Sequence, residues 1–171
     1  MSDLIISTVA QGLLWAVLAM GVFITFRILN IADLSVEGSF PLGGAVAAVL
    51  LAEKYNPATA IVVAGLAGML AGAMSGLLHT KLKIPALMAG ILTMIALYSV
   101  ILRVMGKANL SLLNTDTVFT SLEFLNLSPN MTTFVVGLFI AIAIPLWMYW
   151  FFGTEIGMAV RATGNNPQMI R

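Results

Sequence analysis

Residues 30–52 read NIADLSVEGSFPLGGAVAAVLLA, and the fold turns on how this stretch is read. Its apolar part, residues 38–52, is a run of 15 uncharged residues. As a helix rising ~1.5 Å per residue it covers about 22 Å, short of a hydrocarbon core about 30 Å thick. Something must complete the crossing. The segment just ahead, residues 30–37, carries Asp33, Ser35 and Glu37. An acidic side chain near hydrocarbon is costly and turns toward a cavity or a partner. The stretch therefore predicts a discontinuous span whose polar half lies at membrane depth or at its edge.

Four further apolar runs surround it, at residues 4–26, 58–78, 84–102 and 131–152, each about long enough to cross as a single helix. The expected fold is an all-α polytopic bundle of about five spans with a discontinuous second span, residues 1–171 forming one transmembrane domain. The first run is too long for a signal-peptide core, follows the acidic Asp3 and lacks a small-residue cleavage pattern, so it reads as a retained span.

Composition agrees. The 171 residues are 60% hydrophobic and only 9% charged, with a mean hydropathy of +1.03, where soluble domains carry about 25% charge. A net charge of +1 without a basic stripe argues against nucleic acid. With no cysteine and one histidine, His79, the chain offers no disulfide, thiolate metal site or Cys/His pair. No cofactor is expected.

Orientation follows from the basic residues, because Lys and Arg in short loops stay cytoplasmic. With the carboxyl end inside, Arg27, Lys81, Lys83, Arg161 and Arg171 are inside, against Lys54, Arg103 and Lys107 outside. The expected topology is an external amino terminus and a cytoplasmic carboxyl terminus. Trp147, Tyr149 and Trp150 then sit at the cytoplasmic interface.

Several groups of residues compete for a role. Gly68, Gly72 and Gly76 recur every four residues and predict a smooth helix-packing face. Ser75 and His79, four apart, could meet as nucleophile and base, but His79 lies at the membrane edge with no nearby acid to orient it. Pro85 marks a tight turn at residues 81–84, and Pro145 predicts a kink in the last span. In residues 106–130, three Asn-x-Ser/Thr triplets, at Asn109, Asn126 and Asn130, read as chance matches. The apolar residues Val118, Phe119, Leu122, Phe124, Leu125 and Leu127 of the same loop suggest a short helix or strand on the outer face. Asp33, Ser35 and Glu37 admit three readings: a helix cap, a substrate or proton site, and a metal pair.

The polar tail, residues 153–171, reads GTEIGMAVRATGNNPQMIR. Thr154 is placed to cap a short helix over residues 155–162, with Glu155 in its first turn and Arg161 in its last. Gly164 then ends that helix, and Asn166 with Pro167 starts another. An ordinary connector and a surface that touches another protein both fit.

Two motifs resemble the permease family of ATP-driven importers for branched-chain amino acids and ribose-type sugars. Ala32-Asp33-Leu34-Ser35-Val36-Glu37-Gly38 is similar to its Asp-Leu-Ser-Val-Gly segment. Gly157, Ala162, Gly164, Asn165, Asn166, Pro167 and Arg171 match, in order, its pattern of a glycine, a small-residue helix and a Gly-Asn-Asn-Pro turn leading to an arginine. The lead-in Arg27-Ile28-Leu29-Asn30 resembles the tryptophan/tyrosine transport subgroup. The resemblance covers essentially the whole chain. Glu37 departs from it, standing where many relatives have glycine, and the family continues for several spans beyond the point matching Arg171, so a partial permease is expected.

The resemblance implies a transmembrane permease subunit of the cell (inner) membrane, not itself an enzyme, importing an amino acid or related small solute. It implies a second permease copy in a homodimer, cytoplasmic ATP-binding subunits docked on residues 153–171, and an extracytoplasmic substrate-binding protein. Glu155, Gly157, Arg161, Ala162, Gly164, Asn165, Asn166 and Pro167 become the coupling residues, and Asp33, Ser35 and Glu37 line the pathway or cap the helix. The chain's own lysines agree with this division of labour. None of Lys54, Lys81, Lys83 and Lys107 is followed by Ser or Thr, so a phosphate-binding Gly-x-x-x-x-Gly-Lys-Ser/Thr loop is absent. The rival is a secondary transporter driven by an ion gradient, with Asp33 and Glu37 as its coupling site.

Overall fold

A computed structural model describes residues 2–107, 109–112, 115, 117, 120 and 129–165. Its helices are α1 (Ser2–Phe23), continued by a π-helical turn (Ile24–Ile28), α2 (Val36–Ala52), α3 (Pro57–Thr80), α4 (Ala86–Met105), α5 (Pro129–Phe152) and α6 (Glu155–Asn165). Among the described residues there is no strand. Four helical stretches are long and apolar enough to cross a bilayer, Leu4–Ile28, Pro57–Thr80, Ala86–Met105 and Asn130–Phe152, and Val36–Ala52 is the shorter apolar helix. The chain is an all-α, multi-pass membrane protein. At 17 residues, α2 spans about 25 Å, and the non-helical residues 29–34 precede it. The run at residues 38–52 thus forms an apolar helix shorter than the four others, with a non-helical segment ahead of it.

The helices form two compact units, one of α1, its π turn, α5 and α6, the other of α2, α3 and α4. Lipid tails are as apolar as leucine, so helices in a bilayer associate by close packing at small residues rather than by burial from water. In the first unit a Cβ on Gly137 of α5 would lie 3.2 Å from Leu13 Cβ and 3.4 Å from the Ala10 carbonyl oxygen of α1. In the second, a Cβ on Gly38 of α2 would come within 3.0 Å of Met94 Cα on α4. The core of that unit joins Leu42, Ala71 and Leu97, with Val46, Ala67 and Ile101 packed against it. Large apolar side chains such as Leu70, Phe139 and Leu146 point outward, as lipid-facing residues do.

Local chemistry sets the ends. Asn56 Oδ1 accepts from the Ala58 N–H at 2.9 Å, and Pro57 opens α3 without losing a bond. Gly106, at φ 63°, ends α4 in the left-handed region that glycine enters without strain. Lys83, at φ 55°, turns the chain between α3 and α4. Pro145 lies inside an uninterrupted α5, and Pro41 lies inside α2.

Gly164 and the α3 glycines depart from expectation, and other expectations fall outside the described residues. Gly164 does not end α6, which runs to Asn165; its φ is not positive, and the glycine serves a close backbone approach instead. Among the described residues, the smooth α3 face meets nothing at two of its glycines. A Cβ on Gly72 or Gly76 would have no neighbour within 4 Å, and one on Gly68 only the Ser39 carbonyl oxygen at 3.9 Å. The second tail helix at Asn166 and Pro167, the position of Arg171, and the outer-face element of Val118, Phe119, Leu122, Phe124, Leu125 and Leu127 lie outside the described residues.

Candidate functional site

In the unit of α2, α3 and α4, residues 33–35 form a turn at the head of α2. Asp33 Oδ1 accepts the Ser35 N–H at 2.8 Å and Oδ2 accepts the Ser35 hydroxyl at 3.0 Å. From α3, Ser75 Oγ lies 3.2 Å from both carboxylate oxygens. Ser35 and Ser75 are buried, and Asp33 is half-buried. Bonds to a charged acceptor in such a setting are strong, about 1.5–3 kcal/mol each. Ser35 occupies the cap position of α2 but makes no side-chain cap bond, because its hydroxyl turns back to Asp33.

The turn sits directly on α4. A Cβ on Gly90 would fall 2.6 Å from both Asp33 Oδ1 and the Leu34 nitrogen, so only glycine lets backbone and carboxylate come this near. One turn on, buried Thr93 returns its hydroxyl to the Ala89 carbonyl at 2.8 Å. Glu37 lies in the first turn of α2 with an exposed side chain. Asp33 precedes the helix, so the two acids do not share a helical face. No group of three His, Asp or Glu side chains suited to a metal occurs among the described residues.

Ser75 and His79 do not form a catalytic pair. The Ser75 hydroxyl serves Asp33, and His79 Nδ1 lies 2.9 Å from the Ile84 carbonyl oxygen. A carbonyl can only accept, so Nδ1 carries the proton there.

The second constellation lies in the unit of α1, α5 and α6. Thr154 donates its hydroxyl to the Phe151 carbonyl at 2.6 Å and accepts the Gly157 N–H at 3.3 Å, joining α5 to the first turn of α6. Gly157 is buried, and a Cβ there would collide with the Phe151 carbonyl oxygen. Arg161 lies over the Phe152 ring, 5.1 Å from its centroid. Glu155, Ile156, Met158, Ala159 and Ala162 are exposed. At the far end of α6, a Cβ on Gly164 would strike the Ile28 carbonyl oxygen and lie 3.1 Å from Leu29 Cα. Asn30 Nδ2 donates to the Gly164 carbonyl at 3.1 Å. Asn165 is the last described residue of α6, and Asn166 and Pro167 are not described.

Sequence reasoning missed three participants: Ser75 as a partner of Asp33, Gly90 beneath it, and Asn30 against Gly164. The φ of 52° at Asn30 is a conformation that Asn tolerates better than most residues. That tolerance is the one sequence signal that could have drawn attention to it.

A model of the family described as branched-chain amino acid transport system / permease component matches residues 4–171. The chain is similar to the tyrosine transport system permease protein of Clostridioides difficile (strain R20291), with 36% identity over 167 residues, 98% of this chain and 54% of that protein. It is also similar to uncharacterized protein RP368 of Rickettsia prowazekii (strain Madrid E), with 30% identity over 169 residues, 98% of this chain and 57% of that protein. The chain thus spans about half the length of these curated relatives. No solved structure matches it.

Proposed function

The chain belongs to the family of permease components of branched-chain amino acid transport systems, and from that premise we propose that it forms the membrane pathway of an ATP-driven amino acid importer. The family match over residues 4–171 is the observation that carries this reading. Similarity to a tyrosine transport permease supports an amino acid cargo. ATP hydrolysis falls to cytoplasmic ATP-binding subunits, substrate capture to an extracytoplasmic binding protein, and a second permease copy completes the pathway. The carboxyl end is cytoplasmic and the amino end external.

In this reading α6 is the part the ATPase grips. Its exposed face joins apolar Ile156 and Met158 to Glu155 and to small Ala159 and Ala162, a surface that allows close docking. Asp33, Ser35 and Ser75 hold the broken second span in place at the pathway wall. Closure of the ATPase tilts α6 and, through the Thr154 junction, α5.

The test uses the full-length protein with its ATPase and binding protein in lipid vesicles. Gly164→Val forces α6 away from the Ile28 carbonyl and should cut amino acid uptake per ATP hydrolysed by about tenfold. Unchanged coupling in that variant would remove the proposed role of α6.

A further inference from the structure

We infer that α6 is a strut fastened at both ends, and that Asn30 is the positioning residue that ties it to α1. The inference rests on the proposed coupling role of α6 and adds a second route for its motion. A helix that follows a span by a two-residue turn would by itself move only that span. Here the first end of α6 is fixed to α5 by the Thr154 bonds, by the seating of Gly157 on the Phe151 carbonyl and by Arg161 over Phe152. The other end is fixed to α1 by independent contacts. Gly164 rests on the backbone of Ile28 and Leu29, and the Asn30 amide donates to the Gly164 carbonyl.

The end of α1 is shaped to receive it. The helix widens into the π turn Ile24–Ile28, which closes with Leu29 N–H to the Ile24 carbonyl at 3.0 Å and Ile31 N–H to the Thr25 carbonyl at 3.0 Å. Asn30 then enters the left-handed region, as a residue just past a helix end often does. Its side chain is freed from local capping and reaches α6. An apolar groove of about 270 Å³, lined by Met20, Phe23, Ile28, Pro145, Met148 and Arg161, opens between the two attachments. Force on α6 is therefore delivered through its ends, to α5 at one and α1 at the other. Those two helices also pack together at Gly137 and Ala10.

Two variants of the full-length protein test this. Asn30→Gly keeps the left-handed backbone and loses the donor; Asn30→Asp keeps the side-chain shape and turns an acceptor toward the Gly164 carbonyl. Hydrogen exchange in detergent, with no partner present, should show the last turn of α6 exchanging about fivefold faster in Asn30→Gly, and faster still in Asn30→Asp. In vesicles with the ATPase and binding protein, uptake of L-tyrosine, L-tryptophan or L-leucine per ATP hydrolysed should fall severalfold while basal hydrolysis stays unchanged. Unaltered exchange would show that the tie does not exist. Faster exchange with unaltered coupling would show that Asn30 has only a structural part, and would overturn the inference. If the unaltered complex failed to couple uptake to hydrolysis, the importer reading would fall, while the exchange data would still decide whether Asn30 holds α6.

Discussion

The turn at Asp33 and the far end of α6 are both held by a glycine against backbone, yet they are fastened in different ways. At Asp33 the carboxylate takes a backbone N–H and two hydroxyls, from buried Ser35 and Ser75. At Gly164 there is backbone contact and one exposed amide bond, from Asn30. Part-buried bonds to a carboxylate are worth about 1.5–3 kcal/mol each, an exposed neutral one about 0.5–1.5. The first region is built to stay where it is. The second is close enough to transmit motion and loosely enough bonded to adjust.

The largest effect on this contrast is expected from Gly90→Val. Its side chain must displace the Asp33 carboxylate and the Leu34 backbone, at a cost of about 3 kcal/mol or more, which unfolding titrations in mixed micelles would register. A stable Gly90→Val protein would mean that the turn does not sit rigidly on α4. Next comes Asp33→Ala, which strands the Ser35 N–H and removes the acceptor of two hydroxyls, for a loss of about 2 kcal/mol in the same titration. A neutral result would place the turn on the same loose footing as the α6 contact. The smallest effect belongs to Gly72→Ala, expected within about 0.5 kcal/mol of the unaltered protein because a Cβ there meets open space. A large loss would reveal that this α3 face has a partner beyond the described residues.

Much of the architecture could be read from hydropathy alone. The four long apolar helices appear where apolar runs reach about 20 residues, and the shorter α2 follows from a run of 15. The first turn of α6 is likewise legible in Thr154-Glu155, an N-cap followed by an acid. The π turn is not, because widening a helix by one residue leaves no periodic mark in five residues. Ser75 serves Asp33 from 42 positions away, a pairing that local spacing cannot express. The glycines teach the same lesson. Gly72 and Gly76 belong to a regular stripe and meet nothing among the described residues, whereas Gly90 belongs to no stripe and is crowded. Gly164, followed by Asn and Pro, reads locally as a stop, and its purpose becomes visible only once Ile28 lies against it.

The central claim is that energy enters from a partner through α6. Its most direct test is amino acid uptake into vesicles holding the full-length protein, with and without its ATPase, under ATP and then under proton or sodium gradients alone. The account predicts uptake only when ATPase and ATP are both present, insensitive to ionophores. Gradient-driven uptake by the protein without its ATPase would contradict it and return Asp33 and Glu37 to the role of an ion-coupling pair.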